Sequence, residues 1–215
     1  MILSPSAAAT VLLGSLPAGY AAAIAARRLS GSAYPPIIAM IVASAVLGIW
    51  ATLVFPTPFL LAISCGLAWA LLILASVDAL AFRLPDVLTL PLIVAGLAVA
   101  WRLPDHDLTG HAVAAAIGAL LFYAVAAAYR RVRHQDGLGL GDVKLAAAAG
   151  AWIGWQQLPY VVLIACAVGL VWVGIAAIRR GPAALEDRIP FGVALCAGLW
   201  IVWLYGSPEL FEPMF

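Results

Sequence analysis

The sequence has 215 residues, of which 66% are hydrophobic and only 10% charged, and its formal net charge is +1. Soluble domains carry about 25% charged residues, because their surfaces face water. This composition therefore excludes an ordinary soluble globule and indicates lipid as the solvent. The nearly neutral net charge provides no bulk electrostatic attraction for nucleic acid.

Long apolar runs recur along the whole chain. A membrane-spanning helix needs about 20 mostly apolar residues, although shielded helices can be shorter. The fourth and sixth runs are short, so we expect their cytoplasmic ends to be sunk into the protein. The eight runs cover residues 7–26, 36–54, 59–77, 87–101, 110–129, 142–156, 159–178 and 189–205.

The basic residues indicate how the predicted helices are oriented. In an alternating arrangement of eight spans, every Lys and Arg except Arg102 falls on the same side of the membrane. The positive-inside rule makes that side cytoplasmic. The sequence therefore predicts an all-α, polytopic helical bundle with about eight transmembrane helices and both termini in the periplasm. We expect a single integral-membrane domain over residues 1–215.

Two aspartates interrupt otherwise apolar sequence. Asp78 ends the apolar run 67–77, and Asp142 opens another apolar run after Gly139–Gly141. A carboxylate at membrane depth is costly, so an intramembrane acid is a candidate functional residue. In the predicted topology both aspartates lie near the cytoplasmic face. Two carboxylates at one level can share a proton, activate water and hydrolyse a peptide bond.

The residues before Asp142 have two interpretations. Gly139 and Gly141 lack side chains, so the backbone of an extended peptide could approach the carboxylate closely. The simpler interpretation is a flexible loop that enters a helix, with Asp142 as a cap near the positive end of the helix dipole. A Gly-x-Gly-Asp motif alone does not decide between them, because glycine is abundant in this chain.

Other charged residues have simpler roles. Asp86 follows Leu84-Pro85 and is predicted to cap the next helix. Lys144 and Arg83 lie near the two aspartates and are candidates to tune their pKa values, although an interfacial anchor is the simpler role for each. The cysteines and histidines lack the spacing of a disulfide framework or a metal site, so we expect no metal and no other cofactor.

Three segments stand in the same order as in a known family of membrane proteases. Together they resemble the type IV prepilin peptidases, which process type IV pilins and the pseudopilins of type II secretion, over roughly residues 60–205. Several motifs in order are more specific than Gly-x-Gly-Asp alone. The segments are Asp78–Pro91, Gly139–Leu145 followed by Gly150–Trp155, and Ile189–Gly192.

This resemblance implies an activity, a site and a location. The protein would be an aspartic endopeptidase of the bacterial inner membrane, with Asp78 and Asp142 as its catalytic pair. Its partners would be membrane lipid and prepilin or pseudopilin precursors, whose short basic leader is cut at the cytoplasmic face. Related Gly-x-Gly-Asp proteases carry a Pro-Phe-Gly-like motif near the active site. The candidate substrate-binding residues are Gly139, Gly141, Pro190, Phe191 and Gly192.

The sequence departs from full-length members of this family in one place. Those members carry a cytoplasmic loop with two Cys-x-x-Cys pairs after the first helix, which is linked to methylation of the new pilin N-terminus. Here residues 27–36 lead straight into the second apolar run and contain no cysteine. We therefore expect no N-methyltransferase activity.

Two other classes of function remain open at this point. A different intramembrane Gly-x-Gly-Asp protease, of the presenilin or signal-peptide-peptidase kind, would use the same pair of carboxylates but cut its substrate in mid-membrane. A proton-coupled transporter could use two buried acids as a relay. A transporter of that kind is typically built from inverted repeats, which this sequence does not display.

Overall fold

A computed structural model describes residues 5–55, 57–103, 107–134, 137–181 and 189–206, and their regular structure is entirely helical. The helices are α1 (Pro5–Ser30), α2 (Ile37–Val54), α3 (Pro58–Ala81), α4 (Asp86–Arg102), α5 (Leu108–Arg133), α6 (Leu140–Arg180) and α7 (Phe191–Tyr205). The acidic residues Asp105, Asp136, Glu186, Asp187, Glu209 and Glu212 lie outside the described residues.

The helices expose apolar side chains on their outer faces, as membrane proteins do. Within the described residues, α2, α3, α5 and α6 are each long and apolar enough to cross a membrane, and α7 is a shorter apolar helix. Large apolar side chains lie exposed at successive turns of α2, where Ile38, Val42 and Val46 are 76%, 56% and 55% exposed. Soluble monomers rarely expose such continuous apolar surface. These features confirm the predicted all-α, multi-pass membrane architecture.

The number of helices differs from the eight predicted. The described residues form seven helical elements, because α6 includes both the sixth and the seventh predicted runs. Gly154 breaks α6 into two segments, since its φ of 76° and ψ of 177° are not helical and belong to a region that essentially only glycine adopts. Next to this break, the His111 ring Nδ1 donates to the carbonyl oxygen of Ala151 at 3.0 Å.

The structure divides into two compact units, Met1–Ala81 and Phe82–Phe215. The first unit contains α1, α2 and α3. Small residues bring α1 and α2 close together, since a Cβ added to Gly19 would lie 2.5 Å from the Cα of Ile41. The single domain expected over the whole chain stays a prediction.

A short connection joins α1 to α2 within the first unit. Only residues 31–36 separate the two helices. The Arg27 side chain, in the last turn of α1, donates from Nε to the carbonyl oxygen of Pro35 at 2.9 Å. This bond fixes the end of the connection against the helix that precedes it.

The second unit contains α4 to α7, and small residues set the register of its helices. A Cβ added to Gly118 of α5 would lie 2.7 Å from the carbonyl oxygen of Ala146, and one added to Gly150 of α6 would clash with the backbone of Ala114. From the first contact to the second, the residue number falls by four in α5 and rises by four in α6, so α5 and the first segment of α6 run antiparallel. Their backbones are in close contact.

Helix α4 runs parallel to the first segment of α6. Near the start of both helices, Lys144 contacts Asp86. About ten residues further along α4, a Cβ added to Gly96 would lie 2.6 Å from the Trp152 ring, and the Trp152 Nε1 donates to the carbonyl oxygen of Leu92 at 2.8 Å. Helices α4 and α6 therefore begin at the same level of the second unit.

Replacement of Gly150 by alanine tests this packing. We expect Gly150→Ala to lower the midpoint of thermal unfolding in detergent, because the added methyl group clashes with the Ala114 backbone and overpacking costs about 1–3 kcal/mol. Gly174→Ala in the same helix is the control, since no atom lies within 4 Å of the added Cβ. Alanine there should be neutral or stabilising. An equal loss of stability in both variants would contradict the close contact.

Candidate active site

Asp78 lies in the last turn of α3 and is 5% exposed. Its neighbours along the helix, Leu74 and Val77, have no exposed surface. Among the described residues, it is the one acidic residue in the buried class. Since burial of a carboxylate is costly unless the environment compensates, this placement supports a functional role for Asp78.

Asp142 is the third residue of α6, and Gly139 is the residue that caps this helix. The backbone N–H of Gly139 donates to the Asp142 Oδ2 at 3.2 Å. In a capping box, the side chain of the third helical residue accepts the backbone N–H of the cap residue, as Asp142 does here. The simpler interpretation of Asp142, a residue that caps the start of the helix, is therefore confirmed. The Asp142 residue as a whole is partly buried.

The packing register places Asp142 below the end of α5. Gly150 lies against Ala114, and Ala146, four residues earlier in α6, lies against Gly118. If the same register is extended by four more residues along both helices, Asp142 lies at the level of Phe122. Helix α5 extends eleven residues beyond that level to Arg133, which corresponds to roughly 16 Å at the rise of an α-helix. The start of α6 is therefore recessed relative to the end of α5. That the cytoplasmic ends of the fourth and sixth runs are sunk into the protein stays a prediction.

Residues 137–139, just before α6, are non-helical backbone. His134 ends α5 in the left-handed conformation, with φ 55° and ψ 26°. Gly137 packs so closely against the Tyr129 ring that a Cβ there would clash, which places this segment alongside the last turns of α5. Both Gly137 and Gly139 are exposed. At membrane depth, non-helical backbone is tolerated where it is buried in protein or lines a water-filled cavity.

The two glycines of the Gly-x-Gly-Asp motif have different surroundings. A Cβ added to Gly141 would lie 2.8 Å from the Cβ of Leu84, so this close approach is to the chain itself. The atom nearest to a Cβ on Gly139 is the Asp142 Oδ2 at 3.4 Å, an ordinary contact distance. A Cβ on Gly139 would therefore meet only ordinary contacts, and the residue itself is exposed. Substrate binding by either glycine stays a prediction.

Lys144 forms an ion pair with Asp86, and sequence reasoning missed this pair. The Lys144 Nζ lies 2.5 Å from the Asp86 Oδ1, and the two side chains are 34% and 58% exposed. The prediction that Asp86 caps α4 is wrong, because Pro85 occupies the cap position and Asp86 is the first helical residue. The available signal was weak: two opposite charges, far apart in the chain, at the starts of helices predicted to lie at one level.

The Pro190-Phe191-Gly192 motif lies where α7 begins. Pro190 caps the helix, and Gly192 is buried. The Phe191 ring centroid lies 6.4 Å from that of Phe122 on α5. Because the packing register pairs Phe122 with Asp142, this motif lies close to the level of Asp142 within the second unit.

The predicted site residues are thus divided between the two units. Asp142 and the residues around it (Gly139, Gly141, Leu84, Asp86, Lys144) belong to the second unit, and Asp78 belongs to the first. The pairing of Asp78 with Asp142 stays a prediction, as does the tuning of their pKa values by Lys144 and Arg83. Arg83 itself is exposed, next to the start of α4.

Comparison with known proteins identifies the family. The model of the type IV leader peptidase family matches residues 65–174, a stretch that includes both Asp78 and Asp142. The chain belongs to the type IV leader peptidase family. The resemblance found in the sequence motifs is thereby confirmed.

Several curated relatives from this family carry the name prepilin leader peptidase/N-methyltransferase. The protein from Burkholderia pseudomallei is 41% identical over 143 residues, which cover 66% of this chain and 46% of the relative. The one from Aeromonas salmonicida is 35% identical over 190 residues, or 88% of this chain and 62% of the relative. The one from Pseudomonas aeruginosa is 37% identical over 141 residues, or 66% and 48%.

The chain spans about half the length of the curated relatives it matches. No solved structure matches it significantly. The assignment to the leader peptidase family therefore comes from sequence comparison alone. The geometry around Asp142 played no part in that assignment.

Alanine substitutions can distinguish how the two glycines of the motif contribute to stability, because their surroundings differ. We expect Gly141→Ala to lower the midpoint of thermal unfolding in detergent, because the new methyl group meets Leu84 at 2.8 Å and forced contacts of this kind cost about 1–3 kcal/mol. We expect Gly139→Ala to lower the midpoint less, because its new methyl group meets only an ordinary contact at 3.4 Å and the remaining cost is that alanine caps a helix less well than glycine. The comparison would fail if Gly139→Ala were the more destabilising of the two.

Proposed function

We propose that this chain is an aspartic endopeptidase that removes the short basic leader from type IV prepilins or type II secretion pseudopilins at the cytoplasmic face of the bacterial inner membrane. The observation that carries the proposal is the recessed carboxylate of Asp142 at the end of an exposed glycine-containing loop. Membership of the leader peptidase family supports the same activity.

The proposed catalytic pair is Asp78 with Asp142. Asp78 precedes Leu84 by six residues in the chain, and Leu84 packs against Gly141, next to Asp142. This short connection favours a meeting of the two carboxylates. One carboxylate would take a proton from water while the other donates a proton to the scissile carbonyl oxygen. No covalent intermediate is needed, and the chemistry requires no cofactor.

The proposed topology has both termini in the periplasm and counts the two segments of α6 as separate spans, which gives eight. The last turns of α1, α5 and α6 all carry arginines, and these ends lie on the same side in such an arrangement. The positive-inside rule assigns that side to the cytoplasm. The recess at Asp142 would then open towards the cytoplasm, where the basic leader of a precursor lies.

Substrate binding is proposed to use the exposed backbone at Gly139 and the start of α7. An extended leader could approach Asp142 on the Gly139 side, because Gly139 is exposed and has no side chain of its own. The residues Pro190, Phe191 and Gly192 lie close to this level of the second unit and would contact the peptide nearby. The hydrophobic helix of the precursor would remain in lipid.

We propose that the chain does not methylate the product. In full-length relatives, a cysteine-rich cytoplasmic loop after the first helix is linked to methylation. Here only residues 31–36 join α1 to α2, and Arg27 fixes this connection through its bond to Pro35. Such a connection leaves no space for an inserted domain.

Asparagine substitutions of the two aspartates test the catalytic pair. We expect Asp78→Asn and Asp142→Asn each to abolish cleavage of a co-expressed prepilin, followed by its change in electrophoretic mobility, because an amide cannot exchange the proton that the reaction needs. Asp107→Asn is the matched control. It removes the same charge from the cap of α5, which accepts bonds from Thr109 and Gly110, and asparagine caps helices about as well as aspartate.

The outcomes of this experiment separate the alternatives. Cleavage that survives either substitution would rule out the catalytic pair. Sequencing of the product N-terminus would locate the cut, and a cut within the apolar helix of the precursor would favour a mid-membrane protease instead. A transporter would give no cleaved product with the unaltered chain.

The mass of the cleaved product tests the absence of methylation. We expect the mature N-terminus to carry an unmodified amino group when this chain is the only prepilin-processing protein in the cell. Intact-mass spectrometry of the product distinguishes the free amine from its methylated form. A product heavier by one methyl group at its N-terminal residue would contradict the proposal.

A further inference from the structure

Asp142 has two roles in the proposed mechanism, and they compete. Its carboxylate accepts the backbone N–H of Gly139 at the start of α6. Gly139 has no side chain with which to cap the helix. When the carboxylate exchanges a proton with water, as the proposed function requires, its bond to Gly139 is weakened or lost. Another contact must then hold the start of α6 in place.

Two contacts with the segment at the start of α4 meet this need. Leu84 packs against Gly141, with 2.8 Å between the Leu84 Cβ and an added glycine Cβ. Two residues later, the Asp86 carboxylate pairs with Lys144 at 2.5 Å. The first contact lies just before Asp142 in the chain and the second just after it. Together they attach the start of α6 to α4 on both sides of the carboxylate.

The charges of the pair fit the two helix ends. Asp86 lies in the first turn of α4, where the helix dipole favours a negative charge. Lys144 lies near the N-terminal end of α6, where the dipole disfavours a positive charge, and the pairing offsets this effect. Residues two apart in a helix do not face each other. The ammonium group is therefore directed to Asp86 rather than to Asp142.

The exposure of the pair argues for a geometric role. The side chains of Lys144 and Asp86 are 34% and 58% exposed, and exposed ion pairs contribute little to the free energy of folding. We propose that the Lys144–Asp86 ion pair is a positioning element that holds Asp142 in place while its carboxylate takes part in proton transfer. Lys144 and Asp86 are positioning residues, and neither needs to touch the substrate.

Kinetics of single and double variants test this inference, which rests on the proposed function. We expect Lys144→Met and Asp86→Asn each to lower kcat for a prepilin substrate by about tenfold to a hundredfold, the scale of effect that a small misplacement of a reacting group produces. KM should change little, because the substrate does not contact the pair. The double variant should be no worse than either single variant, because both substitutions remove one shared interaction.

Conservative variants provide the matched controls. Lys144→Arg and Asp86→Glu keep the opposite charges, so they should retain most of the activity. All variants should unfold within a few degrees of the unaltered protein, since the pair adds little stability. If Lys144→Met does not fold, the comparison of Asp86→Asn with Asp86→Glu carries the same test.

A spectroscopic measurement reports on the pair without activity. Lys144 is the only lysine in the chain, so reductive methylation with isotope-labelled formaldehyde gives one dimethyl-lysine resonance besides that of the N-terminal amine. We expect this resonance to shift in Asp86→Asn. It should not shift in Asp107→Asn, which removes a carboxylate at the start of α5.

The outcomes distinguish this inference from the proposed function. An inactive Asp142→Asn together with fully active Lys144→Met would overturn the positioning role alone. Losses of kcat that multiply in the double variant would also overturn it, as would a rise in KM at constant kcat, which would indicate that Lys144 binds substrate. An active Asp142→Asn would overturn both the catalytic pair and this inference.

Discussion

Lipid cannot hydrogen-bond to the backbone, so any break in a helix at membrane depth must find partners in the protein or in water. The second unit contains non-helical backbone at residues 137–139, between α5 and α6, and in the proposed topology this segment lies at membrane depth. The segment packs against Tyr129 and ends where Asp142 accepts the Gly139 N–H. In the proposed function, hydration of this exposed backbone would also bring water to the carboxylate of Asp142.

The depth of the recess is set by small residues far from Asp142. Gly118 and Gly150 allow α5 and α6 to approach at backbone distance, and without a hydrophobic force between helices in lipid, such packing is what fixes their relative position. A slide of one turn between α5 and α6 would move Asp142 by about 5.4 Å along the helix axis. Gly118 and Gly150 therefore determine the depth of Asp142 without contributing to its chemistry.

Most of the helix positions could be predicted from the sequence, because hydropathy is a local property and polar residues interrupt the apolar runs. The predicted runs 87–101 and 110–129 fall within α4 and α5. The break in α6 was expected at residues 156–159 but lies at Gly154, where the flanking sequence is apolar and only the glycine conformation marks it. The contact of Leu84 with Gly141 and the ion pair of Lys144 with Asp86 depend on helix register, which local patterns do not encode.

The glycine at position 139 has a consequence for both stability and access. Serine, threonine, asparagine or aspartate would cap α6 with its own side chain, whereas glycine at this position weakens a helix by only a few tenths of a kcal/mol relative to them. Any such side chain would occupy the space beside the Asp142 carboxylate, since a Cβ on Gly139 would already lie 3.4 Å from Oδ2. A small loss of capping would therefore keep Asp142 accessible on the side from which a peptide and water are proposed to approach. The contacts of Gly141 with Leu84 and of Lys144 with Asp86 attach this end of α6 to the segment at the start of α4.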